Sequence, residues 1–274
     1  PVMITEYRSI IGKILYYSTK VGPDLANATR DLACHMSNPG EEHWKSLERI
    51  VGYLVHQKDS GLVYRRPREL RSISYCDADY AKCADTRRSI SGHLHTLGGM
   101  LTNWSSKKQD IVALSSSESE YVSYSSCCQE AIFVNMLLEE LFTERPKTAI
   151  IYEDNLGCIF MIKNQAISQR TKHISLRHHF SRELFMAGKV EPRFVRTDEQ
   201  YYGDGLTKIG LCAYLRSIFL PSGTEIYDVA GRMLKRMTRD GQSRTMTRRA
   251  LCQSWRMTRP MTQIGASLLR ISLE

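Results

Sequence analysis

"ISYCDADYA", residues 73–81, sets a short apolar run directly against two acids. Ile73 to Cys76 have the character of a strand entering a core, yet Asp77 and Asp79 follow at once. Aspartate is common where strands stop, because its side chain bonds the backbone of a turn. The alternative is that the strand delivers a carboxylate to a metal ion. Other acids in the chain decide between the two, by whether they are placed to converge on Asp77.

On the N-terminal side the chain is helical. "EYRSIIGKILYYST" places Ile10, Ile11, Ile14 and Leu15 at helical spacing. Gly22-Pro23 breaks it, and Pro23 suits the first turn of a second helix, "PDLANATRDLACHM". "HWKSLERIVGYLVHQ" then carries Trp44, Leu47, Ile50, Val51 and Leu54 as an apolar stripe. His35, His43 and His56 have no ligand partners nearby in sequence, so packed or solvated roles are expected of them. From residue 61 the texture changes to strands, "GLVYRR" and "RSISYC", followed by a hairpin turning at Gly98-Gly99. A long helix is expected from Ser116 to Phe142, then a strand "TAIIYED", a helix "NLGCIFMIKN" and a helix "KHISLRHHFSRELFMAG". A strand "KVEPRFV" and a loop "RTDEQYYGDGLTK" complete the series. That order is α/β, a hairpin-built sheet flanked by helices.

The charge is unevenly placed. From Arg232 to Glu274 there are ten basic and two acidic residues, so the rest of the chain carries only +1 of the net +9. Residues 223–274 have no lasting apolar face, and a disordered basic tail is expected there. The eight cysteines show no C-x-x-C spacing, which argues against a zinc or redox pair and for reduced thiols in a cytosolic or nuclear setting. No apolar run reaches the ~20 residues of a membrane span, so no membrane partner is expected. The chain begins with Pro1 and not Met, and is expected to be a piece of a longer protein.

Three further acids are candidates. On a helix Glu120, Tyr124, Cys127, Ala131, Val134, Leu138 and Leu141 share one face, which must press on the sheet. A carboxylate there is costly without a compensating cation. Glu118 falls on a wetter stripe, where the helix dipole accounts for it. Asp154 repeats the pattern of Asp77, an apolar strand ending in acid, although Asp or Asn at 154–155 also suits a helix cap. Asp204 is the fourth, with Asp198 and Glu199 as rivals in the same loop. Carboxylates at adjacent strand ends converge, and hard oxygen ligands are what Mg²⁺ takes.

Through "SYCDADYA", "RRSISGHLHTLGG", "NWSSKKQDIVALSSSESEY", "YEDN", "RTKHISLRHHFSREL" and "GDGLTK", in that order, the chain resembles the ribonuclease H domain of copia-type retrotransposon polyproteins. "YRSIIGKILYYSTKVGPDLA" and "MSNPGEEHWKSLERIVGYL" resemble the segment that links the polymerase to the ribonuclease H in that family. The resemblance implies a mixed five-stranded sheet flanked by helices at 67–222, preceded by a helical connection or thumb-like segment at 1–66. It implies metal ligands at Asp77, Glu120, Asp154 and Asp204, with Asp79 a second acid outside the metal set. It also implies two Mg²⁺ ions, or Mn²⁺, in a two-metal hydrolysis of the RNA strand of RNA–DNA hybrids. An upstream polymerase of the same polyprotein is the implied partner, in cytoplasmic virus-like particles and in the nucleus.

Two departures from the family bear on Asp204. Gly203 and Gly205 flank it, and two glycines weaken a helix by about 1 kcal/mol each, so Asp204 is expected to be loosely held. No His lies between Phe180 and Asp204, where many ribonucleases H have one. Lys172 and His173 are the expected phosphate contacts within "RTKHISLRHHF". Ser116, Ser117 and Asn155 are expected near the ribose hydroxyls of the hybrid. The competing expectations are a DNA strand-transfer enzyme, whose His/Cys domain is not visible, and a catalytically dead relic that at most binds nucleic acid.

Overall fold

The computed structural model describes residues 2–57, 62, 64, 69–142, 148–164, 175–208, 225–227 and 233–236. Three strands, β1 (Ser72–Asp79), β2 (Ile90–Leu97) and β3 (Met100–Lys108), form an antiparallel meander. Gly98 and Gly99 turn β2 into β3 with φ of 59° and 80°, backbone that glycine adopts without a Cβ clash. On the other edge of β1, β4 (Ala149–Glu153) runs parallel with Ile73 opposite Ile150, and β5 (Val190–Phe194) runs parallel to β4. The order β3-β2-β1-β4-β5 puts β1 in the centre. This is the mixed five-stranded sheet flanked by helices that the resemblance implied. Of the expected strand at 61–66, the described Leu62 and Tyr64 lie outside any strand.

One face of the sheet is covered by α4 (Ser116–Leu141), with α5 (Leu156–Lys163) and α6 (Ser175–Met186) beside it. Ser115 caps α4 by accepting from the Glu118 N–H. Tyr121, Tyr124, Cys127, Cys128 and Ala131 pack there on Cys76, Ala149, Ile151 and Val190. The expected single buried face is only part of the result, because Glu118 to Ser125 are buried on every side. Sheet on one flank and helices on the other leave that half of α4 no solvent side. Leu141, expected in the buried stripe, is 72% exposed, where the helix outlasts its packing partners.

The N-terminal segment comprises α1 (Val2–Lys20), a 3₁₀ turn (Pro23–Leu25), α2 (Ala26–Ala33) and α3 (Glu41–His56). Tyr7, Ile11, Ile14, Leu25, Leu32, Leu47 and Ile50 form its own core. His43 and His35 stack at 3.9 Å, and the His43 Nδ1 accepts from the Gly40 N–H, so both have local structural roles. The Trp104 indole of β3 donates to the Ser18 carbonyl at 2.7 Å, joining helices to sheet. Pro1–Pro221 is one compact unit and Ser222–Glu274 a second. Within the second, β6 (Glu225–Tyr227) and β7 (Met233–Arg236) pair antiparallel, in a stretch expected to hold no regular structure. Strands of three and four residues are too short to register as periodicity.

The loop expected over 196–208 is in part a helix, α7 (Tyr201–Thr207). It lies across the ends of β1 and β2. A Cβ on Gly203 would sit 2.8 Å from the Asp77 Cβ, and one on Gly92 2.9 Å from the Leu206 Cβ. The two glycines are what let helix and strands approach. Gly203 therefore seats Asp204 instead of loosening it. Among the described residues no helix is long and apolar enough to cross a membrane.

Candidate metal centre

Each acid reaches the site through a different element. Asp77 sits near the end of β1 opposite Gly92 and is 1% exposed. Glu120 lies in the second turn of α4, which the Ser123 hydroxyl docks by donating to the Asp77 carbonyl at 2.9 Å. Asp154 follows the last residue of β4. Helix capping falls to its neighbour, since the Asn155 side chain accepts from the Cys158 N–H at 2.9 Å. That division of labour leaves the Asp154 carboxylate for the cluster.

Asp77, Glu120 and Asp154 each offer an oxygen within 4.8 Å of the others. Burial raises the Asp77 carboxyl to about 6; Lys208 opposes the rise and Asp204 adds to it. Burial, then Glu153 and Asp77, raise Glu120 well above the ordinary carboxylate range. The Glu120 Oε2 is buried and has no hydrogen-bond partner, a costly state for a carboxylate oxygen unless a cation fills it. Three hard oxygen donors with one orphaned suit Mg²⁺ or Mn²⁺ and no soft metal.

Asp204 stands apart from this group. It is 3% exposed, and its carboxylate is bonded to the Lys208 ammonium, which also lies 3.5 Å from Asp77. Burial alone would lower the Lys208 pKa; Asp77 and Asp204 outweigh it and raise it. The Thr207 hydroxyl donates to Asp77 and the Gln200 amide to the Cys76 carbonyl, so α7 is bonded to β1 on both sides of Gly203.

The remaining expected residues fall as follows. Ser117 donates to the Asn155 side chain at 3.1 Å, next to Asp154 in the chain, and Ser116 is exposed in the first turn of α4. Lys172 and His173 lie outside the described residues. Asp79 pairs with Lys82 at 2.6 Å and Asp198 with Arg196 at 3.0 Å, and neither is among the three acids that converge. Glu118 is buried and not wet as expected; its carboxylate accepts from the Leu114 N–H at 2.8 Å, securing the loop before α4.

Glu153 was missed. It is fully buried, accepts from the Cys76 thiol and the Asn155 N–H at 3.1 Å each, and burial raises its carboxyl strongly. The signal was two adjacent acids, which alternation sends to opposite faces of a strand. Thr207 and Lys208 were also missed, though "GDGLTK" contains both. The six described cysteines are free thiols.

No protein-family model matches the chain. It is 36% identical over 204 residues to the retrovirus-related Pol polyprotein from transposon RE2 of Arabidopsis thaliana, covering 74% of this chain and 14% of that polyprotein. It is 40% identical over 130 residues to the secreted RxLR effector protein 161 of Plasmopara viticola, covering 47% of this chain and 92% of the effector. Among solved structures it is similar to RNase H1 from the archaeon Halobacterium salinarum, at 13% identity and a TM-score of 0.38 over 50% of this chain and 93% of that one. It is also similar to the foamy viral protease-reverse transcriptase in complex with an RNA/DNA hybrid, at 14% identity and a TM-score of 0.45, over 71% of this chain and 25% of that one.

Proposed function

Because this chain belongs to the retrovirus-related Pol polyproteins of transposons, we propose that its acidic site hydrolyses the RNA strand of RNA–DNA hybrids with divalent metal. The observation that carries this is the convergence of Asp77, Glu120 and Asp154 within 4.8 Å, with the Glu120 Oε2 unpartnered. These three carboxylates would hold Mg²⁺, or Mn²⁺ in its place, and Asp204 would join them once Lys208 releases it. When bound, the metal supplies a more acidic attacking water and charge stabilisation for the leaving oxygen. Water adds to phosphorus and the P–O3′ bond breaks, leaving a 3′ hydroxyl and a 5′ phosphate. The chain's own part is to fix the carboxylates and the hybrid. Burial of Asp77 and Glu120 keeps bulk water from screening that field. Ser116, Ser117 and Asn155 meet the ribose 2′-hydroxyls beside Asp154, and Lys172 and His173 meet phosphates. An upstream polymerase of the same polyprotein would deliver the hybrid, in the cytoplasmic particle and in the nucleus.

A second reading, a folded relic without activity, draws on the Asp204–Lys208 ion pair, which occupies the fourth carboxylate. One assay separates them. The purified chain is given a labelled RNA–DNA hybrid with Mg²⁺ or Mn²⁺, and internal cuts in the RNA strand that EDTA abolishes are expected. A folded chain that cuts no hybrid with either metal overturns the nuclease reading.

A further inference from the structure

α7 has seven residues and two internal glycines, too little helix to hold its own geometry. Its last turn carries carbonyls with no partner inside the helix. Two side chains from elsewhere meet them. The Lys82 ammonium donates to the Thr207 carbonyl at 3.1 Å, and the Ser106 hydroxyl of β3 donates to the Leu206 carbonyl. Ser106 is in turn oriented by Arg30 of α2, whose Nη1 donates to the Ser106 oxygen at 3.0 Å.

Arg30 is an unusual residue for the position. It is 9% exposed, and its Nη2 is fixed by Asn27 at 2.6 Å and Asp31 at 2.5 Å. That clamp leaves Nη1 one direction, toward Ser106. Beside it lies a half-open recess of about 190 Å³ lined by Leu15, Ser18, Arg30, Trp104 and Ser106 among others. The Leu206 carbonyl is one residue from Thr207, which donates to Asp77, and two from Lys208, which holds Asp204.

We propose that Arg30 is a positioning residue for the carboxylate site: through Ser106 and the Leu206 carbonyl it seats α7, and with it Thr207, Asp204 and Lys208, against Asp77. This rests on the nuclease reading of that site only for its catalytic consequence. The helical segment would then act as a support that the site needs.

Four variants of the full chain test it: Arg30→Met, Ser106→Ala, the double variant and Arg30→Lys. Hydrogen exchange of the α7 amides should speed about tenfold in each of the first two, the weight of one hydrogen bond to a charged or polarised group, with β1 and α4 unchanged. The Mn²⁺ concentration that half-saturates thermal stabilisation should rise, and kcat should fall with the hybrid KM held. The double variant should be no worse than either single one, because both cut one chain of bonds, and Arg30→Lys should recover part. Unchanged α7 exchange, additive effects in the double, or equal loosening of β1 and α4 would each overturn the proposal. If the unmutated chain neither cuts nor binds metal, the nuclease reading fails, and α7 exchange still decides the role of Arg30.

Discussion

On one side of Asp77, Glu120 and Asp154 bring two more carboxylates within 4.8 Å; on the other, Asp204 arrives with the Lys208 ammonium bridging it to Asp77. The first half concentrates negative charge, and its cost appears as the upward shifts of Asp77 and Glu120. The second half neutralises its own charge with a residue one helical turn away. A folded chain can keep both because the second lends part of its positive charge to the first. A divalent ion would meet unequal halves, one in need of a cation and one already served.

The sharpest way to break that contrast is Asp154→Asn. Cleavage should fall to the detection limit, while the metal-free melting temperature holds or rises, because a like charge leaves the cluster. Robust cleavage would remove Asp154 from the metal site. Lys208→Met attacks the other half. It removes the ammonium paired with the buried Asp204 carboxylate and should cost up to about 3 kcal/mol without metal, the low end for breaking a buried pair. Half-saturation by Mn²⁺ should shift to lower concentration, since a repelling charge is gone. Weaker metal binding in that variant would mean that Lys208 helps to hold the ion's ligands in place. Gly203→Ala forces a methyl against the Asp77 Cβ at 2.8 Å and should cost about 1–3 kcal/mol, with loss of cleavage. An unaffected melting temperature would show that α7 does not sit so close.

In the metal-free protein Asp77 has a folded value of about 6 against an ordinary 3.8, so the folded state binds more protons between those values. Its contribution is therefore present below about 3.8 and is lost as pH rises to about 6. The melting-temperature difference between the wild-type chain and Asp77→Asn should fall across that window, and saturating Mn²⁺ should reverse the trend. A difference that rises with pH in the metal-free protein would contradict the shift. The smallest effect is reserved for Asp79→Asn. Its pair with Lys82 is partly exposed, at 28% and 24%, so the loss should be under about 1 kcal/mol with cleavage largely kept. Abolished cleavage would draw Asp79 into the site.

The residues that were legible beforehand share a property: each lies at the end of an apolar run whose period can be counted. Asp77 lies near the end of β1, Asp154 directly follows β4, and Glu120 sits on the helical stripe with Tyr124 and Cys127. Glu118 was misplaced because helical periodicity assumes one wet side, and the first half of α4 has none. The role of Gly203 escapes helix propensity for the related reason that a propensity describes the helix alone. The contact that calls for glycine there is with β1, more than a hundred residues away in the chain.

The α/β class, the strand-end acids and the concentration of positive charge after Arg232 are legible in the chain's local runs. Those are local quantities, set by which neighbours are apolar or charged. Tertiary structure decided that Glu153 turns into the core while Asp154 meets the cluster, and that Asn155 takes the cap. It also decided that Asp204 is held by Lys208 and that Arg30 reaches α7 through Ser106. Lys208 and Asp77 are 131 residues apart, and no periodicity spans such a gap. Desolvation and Coulomb energy depend on distance in space, and folding alone sets that distance.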